Sequence, residues 1–198
     1  VFSFYGNKIV TTGEGGMLVT RNPKLARLAA TLRDHAFSSE RHFWHRYCGF
    51  NYRMTNMQAA IGLAQVERFR TLIEIRRRTR RLYEKCLRHV PGVQLMEEVP
   101  GSRSVNWMNC IRVNARLGCS RDELRRWLAR GGIDTRSTFI PIHLQPIYHR
   151  RFRGQSFPVA EALCQDGILL PSGPKMTERD VAWIARRIAS APGTRPAR

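Results

Sequence analysis

Lysine is almost missing from a chain that is otherwise strongly basic. Lys and Arg together number 34 against 15 Asp and Glu, a net charge of +19, yet lysine occurs only at positions 8, 24, 85 and 175. The charge is therefore arginine, scattered along the chain with one cluster at Arg76, Arg77, Arg78, Arg80 and Arg81. Such a balance invites a nucleic-acid reading. The cluster falls in a helical pattern, however, where such residues form a solvated face, and an anionic small-molecule substrate suits a basic protein as well. No apolar run approaches the roughly 20 residues that cross a bilayer, and no basic start leads into an apolar signal stretch. No membrane partner is expected, and the protein reads as cytoplasmic. The cysteines, Cys48, Cys86, Cys110, Cys119 and Cys164, are odd in number and contain no CxxC pair. That excludes a zinc-finger spacing and a disulfide framework and leaves reduced thiols; no metal is expected. An initiating Met is also lacking. Val1-Phe2-Ser3-Phe4 reads as the inside of a strand, so the chain is expected to begin partway through a larger protein.

What is present is the composition of a folded domain, with 42% hydrophobic residues. Residues 1–20 read as two short strands around a turn punctuated by Gly13, Gly15 and Gly16. Asn22-Pro23 supplies an N-cap and a first-turn proline for a helix through Leu25, Leu28, Ala29 and Leu32. Residues 35–54 lack a period but are rich in His, Phe, Trp and Tyr, which marks a structured loop. Thr55 and Gln58 have capping-box spacing. They open one long helix that should run to Val90, stop at Pro91-Gly92, span ~50 Å at ~1.5 Å per residue and connect two domains. Beyond it the chain alternates. Val105–Val113 reads as a strand, and Ser120 with Glu123 caps a helix ending near Gly131-Gly132. Ile133–Ile142 reads as extended, Pro158–Cys164 as a short helix and Ile168–Leu170 as a strand. Thr177 caps a last helix through Ile188. The tail 191–198 reads as disordered.

Three segments carry chemistry. In the first, Lys8 stands between apolar strands and before a glycine-rich turn. A lysine held in such a place can act as an amine nucleophile toward a carbonyl, and Ser3 can donate to a phosphate. A surface hairpin with a solvated lysine explains the same residues. In the second, Asn51 and Arg53 stand just before a helix start, a favourable place for anions; a turn-forming Asn and a surface ion pair explain them too. In the third, His143 lies between Pro141 and Pro146 on a rigid extended segment, positioned to touch a ligand or to serve as a satisfied structural histidine.

Taken together, the segment from Ser3 to Met17, the run Gly49-Phe50-Asn51-Tyr52-Arg53-Met54-Thr55-Asn56-Met57-Gln58-Ala59-Ala60-Ile61-Gly62, and the stretch Pro141 to Tyr148 resemble the DegT-type nucleotide-sugar aminotransferases. These are fold-type I enzymes dependent on pyridoxal 5'-phosphate (PLP). Supporting matches are Leu32-Arg33-Asp34-His35 and Leu170 to Pro174, and the likeness runs from residue 1 to about 188. Phe43-Trp44-His45 and Asn51 to Asn56 are similar to its perosamine-forming branch. The resemblance implies an α/β chain in three parts: the end of a PLP-binding large domain (1–55), a connecting helix (56–90) and a small C-terminal α/β domain (91–190).

The resemblance also implies roles. Lys8 would bond PLP covalently and shuttle the reaction's proton, and Ser3 would contact its phosphate. Asn51 would reach the phosphate bound by a neighbouring subunit, so that a homodimer shares its active sites. Arg53 and His143 would meet the nucleotide sugar. The activity implied is amino transfer from L-glutamate to a 4-keto-6-deoxy nucleotide sugar in polysaccharide or antibiotic-sugar synthesis. Lys8 argues against the family's dehydratase branch, where a histidine replaces the lysine. Members are about twice this length, so the residues that protonate the pyridine nitrogen and stack on the ring are expected elsewhere, and this chain alone is expected to be inactive. The alternative is a truncated, non-catalytic paralogue that binds nucleotides or nucleic acid.

Overall fold

The computed structural model describes residues 1–193. The chain forms two compact units, one from Val1 to Thr71 and the other from Leu72 onward. The expected disorder of 191–198 falls partly outside the described residues. Ala191 lies inside them and is buried, its N–H bonded to the Ile188 carbonyl at 3.1 Å.

In the first unit, β1 (Phe2–Ser3) pairs antiparallel with β2 (Gly16–Met17), Phe2 opposite Met17 and Ser3 opposite Gly16. The ladder is shorter than the apolar pattern suggests. Asn22 then caps α1 (Pro23–Arg33), its Oδ1 accepting from the Lys24 and Leu25 amides. Thr55 caps α2 (Asn56–Glu67) with the capping box that the spacing predicts. The expected single helix is two. Arg68 leaves the helical path, its N–H turning back to the Gln65 and Val66 carbonyls, and α3 (Phe69–Leu87) begins after it. Neither proline nor glycine stands at the break, so the apolar period reads straight through it.

The second unit holds a four-stranded sheet in the order β3 (Val93–Leu95), β4 (Asn109–Val113), β6 (Gly167–Leu170), β5 (Arg136–Ser137). Every pairing is antiparallel. The central strand alternates cleanly, with Asn109, Ile111 and Val113 buried. Helices α3, α4 (Arg121–Arg130) and α6 (Glu178–Ala189) complete one core. They contribute Tyr83 and Leu87, Leu124 and Leu128, and Val181, Ile184 and Ile188, at the three-to-four-residue spacing of a helix face. Each such side chain is worth about 1.5–3 kcal/mol when withdrawn from water. Helix α5 (Pro158–Asp166) runs one turn-fraction past its expected end at Cys164.

Two sequence readings are corrected here. The strand expected from Val105 starts only at Asn109, because Asn106 takes a left-handed φ of 48° and the chain bends there. Of the extended stretch 133–142, only Arg136–Ser137 pairs into the sheet, and Ile142–Leu144 coils into one 3-10 turn. Strand β3 gave no signal, being three residues long behind the Pro91-Gly92 stop.

Candidate active site

Lys8 sits on the turn that follows β1. It is half-buried, while Tyr5, Gly6 and Asn7 before it are exposed. Its amide donates to the Tyr5 carbonyl at 2.9 Å. The turn is closed at its base by the Phe4 carbonyl, which accepts from the Thr12 amide at 2.9 Å and from Thr11 Oγ1 at 3.0 Å. Ser3 lies five residues before Lys8 on the same hairpin and is exposed; its Oγ accepts a long 3.4 Å bond from the Tyr5 amide. The hydroxyl hydrogen is left to donate elsewhere.

A two-residue ladder cannot by itself fix a lysine, since isolated hairpins are marginal in water. The hairpin is instead held by α2. Gln65 bonds both sides of one peptide residue: its Oε1 accepts from the Thr11 amide at 3.1 Å and its Nε2 donates to the Thr11 carbonyl at 2.6 Å. Gln58 Nε2 donates to the Glu14 carbonyl at 3.3 Å. Between them Gly62 lets Thr12 in: a Cβ there would lie 2.9 Å from Thr12 Cγ2. Gln58, Gly62 and Gln65 stand at i, i+4 and i+7, one face of the helix. At the other end, Gly15 adopts φ +150°, and a Cβ on it would come within 2.9 Å of the Met54 methyl. Sequence reasoning missed Gln65 and used Gln58 only as a cap. The available signal was a polar stripe in an otherwise apolar helix.

Asn51 and Arg53 lie in the same unit. The strand-like segment Phe50–Tyr52 is laid along the end of α1, with Phe50 N–H to Leu32 O at 2.7 Å and Tyr52 N–H to Arg33 O at 2.9 Å, and Asn51 bridged to Asp34. Arg53 Nη1 meets Asp34 Oδ2 at 3.1 Å. The Arg53 side chain is mostly exposed and that of Asp34 partly so, and the pair adds little stability; it places the guanidinium beside Asp34. His35, Ala36 and Phe43 take left-handed backbone angles in the loop above it, a strain that non-glycine residues hold only where the surroundings impose it.

His143 belongs to the second unit. It is buried, and its Nε2 lies 2.9 Å from Glu161 Oε1. The Phe157 ring packs on it at 4.7 Å between centroids. Glu161 also accepts from the Phe157 amide at 2.8 Å. That bond, then His143, holds its carboxyl below the ordinary range. Sequence reasoning did not find Glu161. An open cavity of about 550 Å3 here is lined by Arg121, His143, Ser156, Glu161, Cys164 and Gln165 among others. Lys8, Ser3, Asn51 and Arg53 do not line it.

Among the described residues, no three His, Cys, Asp or Glu side chains are grouped to hold a metal ion, and no helix is long and apolar enough to cross a membrane. The hairpin offers a primary amine for a carbonyl and, five residues away, a hydroxyl for a phosphate, and that donor set fits a phosphorylated aldehyde such as PLP.

The sequence pattern of the DegT/DnrJ/EryC1/StrS aminotransferase family matches residues 1–189. The chain belongs to this family. Its members depend on PLP. The chain is 38% identical over 187 residues to the GDP-perosamine synthase of Escherichia coli O157:H7, covering 94% of the chain and 50% of that protein. It is 40% identical over 181 residues to the GDP-perosamine synthase of Caulobacter vibrioides, covering 91% and 48%. The aminotransferase TlmJ from Streptoalloteichus hindustanus superposes with a TM-score of 0.85 at 27% identity, over 96% of the chain and 50% of TlmJ. The chain thus spans about half the length of the curated relatives it matches. The sugar-aminotransferase family, its cofactor dependence and the α/β fold agree with what the motifs around Lys8 and Asn51 imply.

Proposed function

We propose that this chain is the lysine-bearing part of an enzyme that transfers an amino group from L-glutamate to a 4-keto-6-deoxy nucleotide sugar, with GDP as the nucleotide. The observation that carries the reading is the Lys8 turn, with its half-buried lysine and its base pinned to α2. When bound, PLP supplies an electron sink for the carbon from which the amino group leaves. Lys8 would hold the cofactor through Nζ, and the same amine, when not bonded to it, would be the group that carries the proton of the amino transfer. Ser3 Oγ donates to the phosphate. Residues 1–55 close the large cofactor domain, 56–90 lead out of it and 91–190 form the small domain.

In this reading Asn51 acts across a homodimer, reaching the phosphate bound by the other subunit. Arg53, oriented by Asp34, offers charge to the nucleotide diphosphate. His143 meets the sugar nucleotide by its remaining nitrogen, since Nε2 is engaged with Glu161. The likeness to two GDP-perosamine synthases supports GDP as the nucleotide.

The test uses the natural-length protein loaded with PLP and given L-glutamate together with the GDP-, UDP- or TDP-linked 4-keto-6-deoxy sugar. The expected result is 2-oxoglutarate and an aminated nucleotide sugar, fastest with GDP. No 2-oxoglutarate with any of the three would overturn the reading.

A further inference from the structure

We infer that Gln65 is a positioning residue for Lys8: its side-chain amide takes the place of a missing β-strand neighbour and sets where the lysine amine stands. The inference rests on the reading of Lys8 as the cofactor lysine.

Lys8 is three residues from Thr11 along the chain. Nothing in the β1–β2 ladder reaches that far, because its pairs end at Ser3 and Gly16. On the β1 side of the turn, the Phe4 carbonyl already takes both Thr12 N–H and Thr11 Oγ1. The other side of Thr11 would face solvent with an unpaired N–H and C=O. Gln65 satisfies both at once, at 3.1 Å and 2.6 Å, in the donor-plus-acceptor pattern that a neighbouring strand would present. An amide is the one side-chain type that carries both functions with this spacing. A carboxylate could accept from the amide but could not donate to the carbonyl, and an apolar residue could do neither.

The geometry is set from the helix. Gln65 is half-buried on α2, and Gly62 one turn earlier removes the side chain that would hold Thr12 away. Gln58 makes the same kind of bond to the Glu14 carbonyl. The stripe Gln58–Gly62–Gln65 therefore lays the hairpin's second limb against a helix that is itself fixed by a capping box at Thr55. A reactive group needs to be held to within about 1 Å, since a misplacement of that size can cost on the order of 10²-fold in rate. Losing Gln65 leaves the lysine chemically unchanged but on a turn with one free side.

The experiment is reconstitution of the natural-length apoprotein with PLP, following the rate of growth and the pH midpoint of the visible band of a lysine-bound cofactor. Gln65→Ala is expected to slow capture about tenfold or more and to shift the pH midpoint, with saturation still reached at high PLP. Gln65→Glu, which keeps the size and the acceptor, is expected to fall between and serves if the alanine variant fails to fold. Asn22→Ala weakens α1 of the same unit at its cap without touching Gln58, Gly62, Gln65 or Thr11, and should leave the capture rate within about twofold, which separates positioning from general loosening. Capture and midpoint like wild type in both Gln65 variants would overturn the inference. So would equal slowing in Asn22→Ala. A wild-type band that survives Lys8→Ala would instead sink the Lys8 reading, and this inference with it, for that distinguishable reason.

Discussion

The two units are built on opposite principles. From Leu72 onward the chain has a core of its own: Tyr83, Leu87, Ile111, Leu117, Leu124, Leu128, Ile168, Val181 and Ile188 are sealed from solvent. In the first unit the buried apolar residues are Val10 and Ala36 alone, while Phe2, Met17, Leu18, Val19, Met57, Ile61, Leu63 and Val66 are half or more exposed. Helix α2 is apolar on most of its circumference yet has no buried residue. A helix of that kind is made to be surrounded. What holds the first unit is a set of polar bonds, the Gln65 and Gln58 clamp and the strand-like contacts of Phe50–Tyr52. The unit with the complete core holds His143, and the unit whose apolar side chains are mostly exposed holds Lys8, Ser3, Asn51 and Arg53, the residues proposed for the chemistry.

The largest expected difference is in autonomy. A fragment from Phe69 to Gly193 should unfold cooperatively in urea, whereas a fragment from Val1 to Thr71 should show no cooperative transition by circular dichroism. A sharp transition in the shorter piece would erase the contrast.

Single substitutions should repeat the contrast on a smaller scale. Leu124→Ala, at 0% exposure on α4, should cost about 2–5 kcal/mol, read as a shift of the denaturation midpoint. Leu28→Ala, at 40% exposure on α1, should stay within about 0.5 kcal/mol in the 198-residue chain. Added to the natural-length protein, the same Leu28→Ala should cost more if that surface is covered there.

The smallest effect concerns helix ends of the second unit. The Ser120 amide, then its hydroxyl, hold the Glu123 carboxyl below its ordinary value, and the Thr177 hydroxyl, then its amide, do the same for Asp180. A lowered native carboxylate contributes stability that is present above the unfolded carboxylate range and is lost as pH falls through it. The second unit should therefore weaken below about pH 4, and Glu123→Gln together with Asp180→Asn, which removes both lowered carboxylates, should flatten that dependence. An unchanged acid limb in the double variant would remove the caps from the account.

How much of this was legible in the residues follows the same divide. Caps were readable because they are local: Asn22, Thr55, Ser120 and Thr177 each act within three residues of themselves. The family was readable because the Lys8 and Asn51 segments are contiguous motifs. The Gln65–Thr11 clamp joins positions 54 residues apart, and the His143–Glu161 pair joins positions 18 apart; no local period carries such a pairing. The break at Arg68 was hidden for another reason, since no breaker residue marks it. Strand β3 and the late start of β4 depend on sheet partners, which propensity alone does not supply.

The scarcity of lysine makes the central claim directly measurable. The natural-length protein would be loaded with PLP, reduced with borohydride and digested, and the pyridoxyl group located by mass spectrometry. This chain offers four lysines, Lys8, Lys24, Lys85 and Lys175. The account expects one stoichiometric adduct, on Lys8, and none after Lys8→Ala. An adduct on any other residue, or a band that survives the Lys8→Ala substitution, would contradict it.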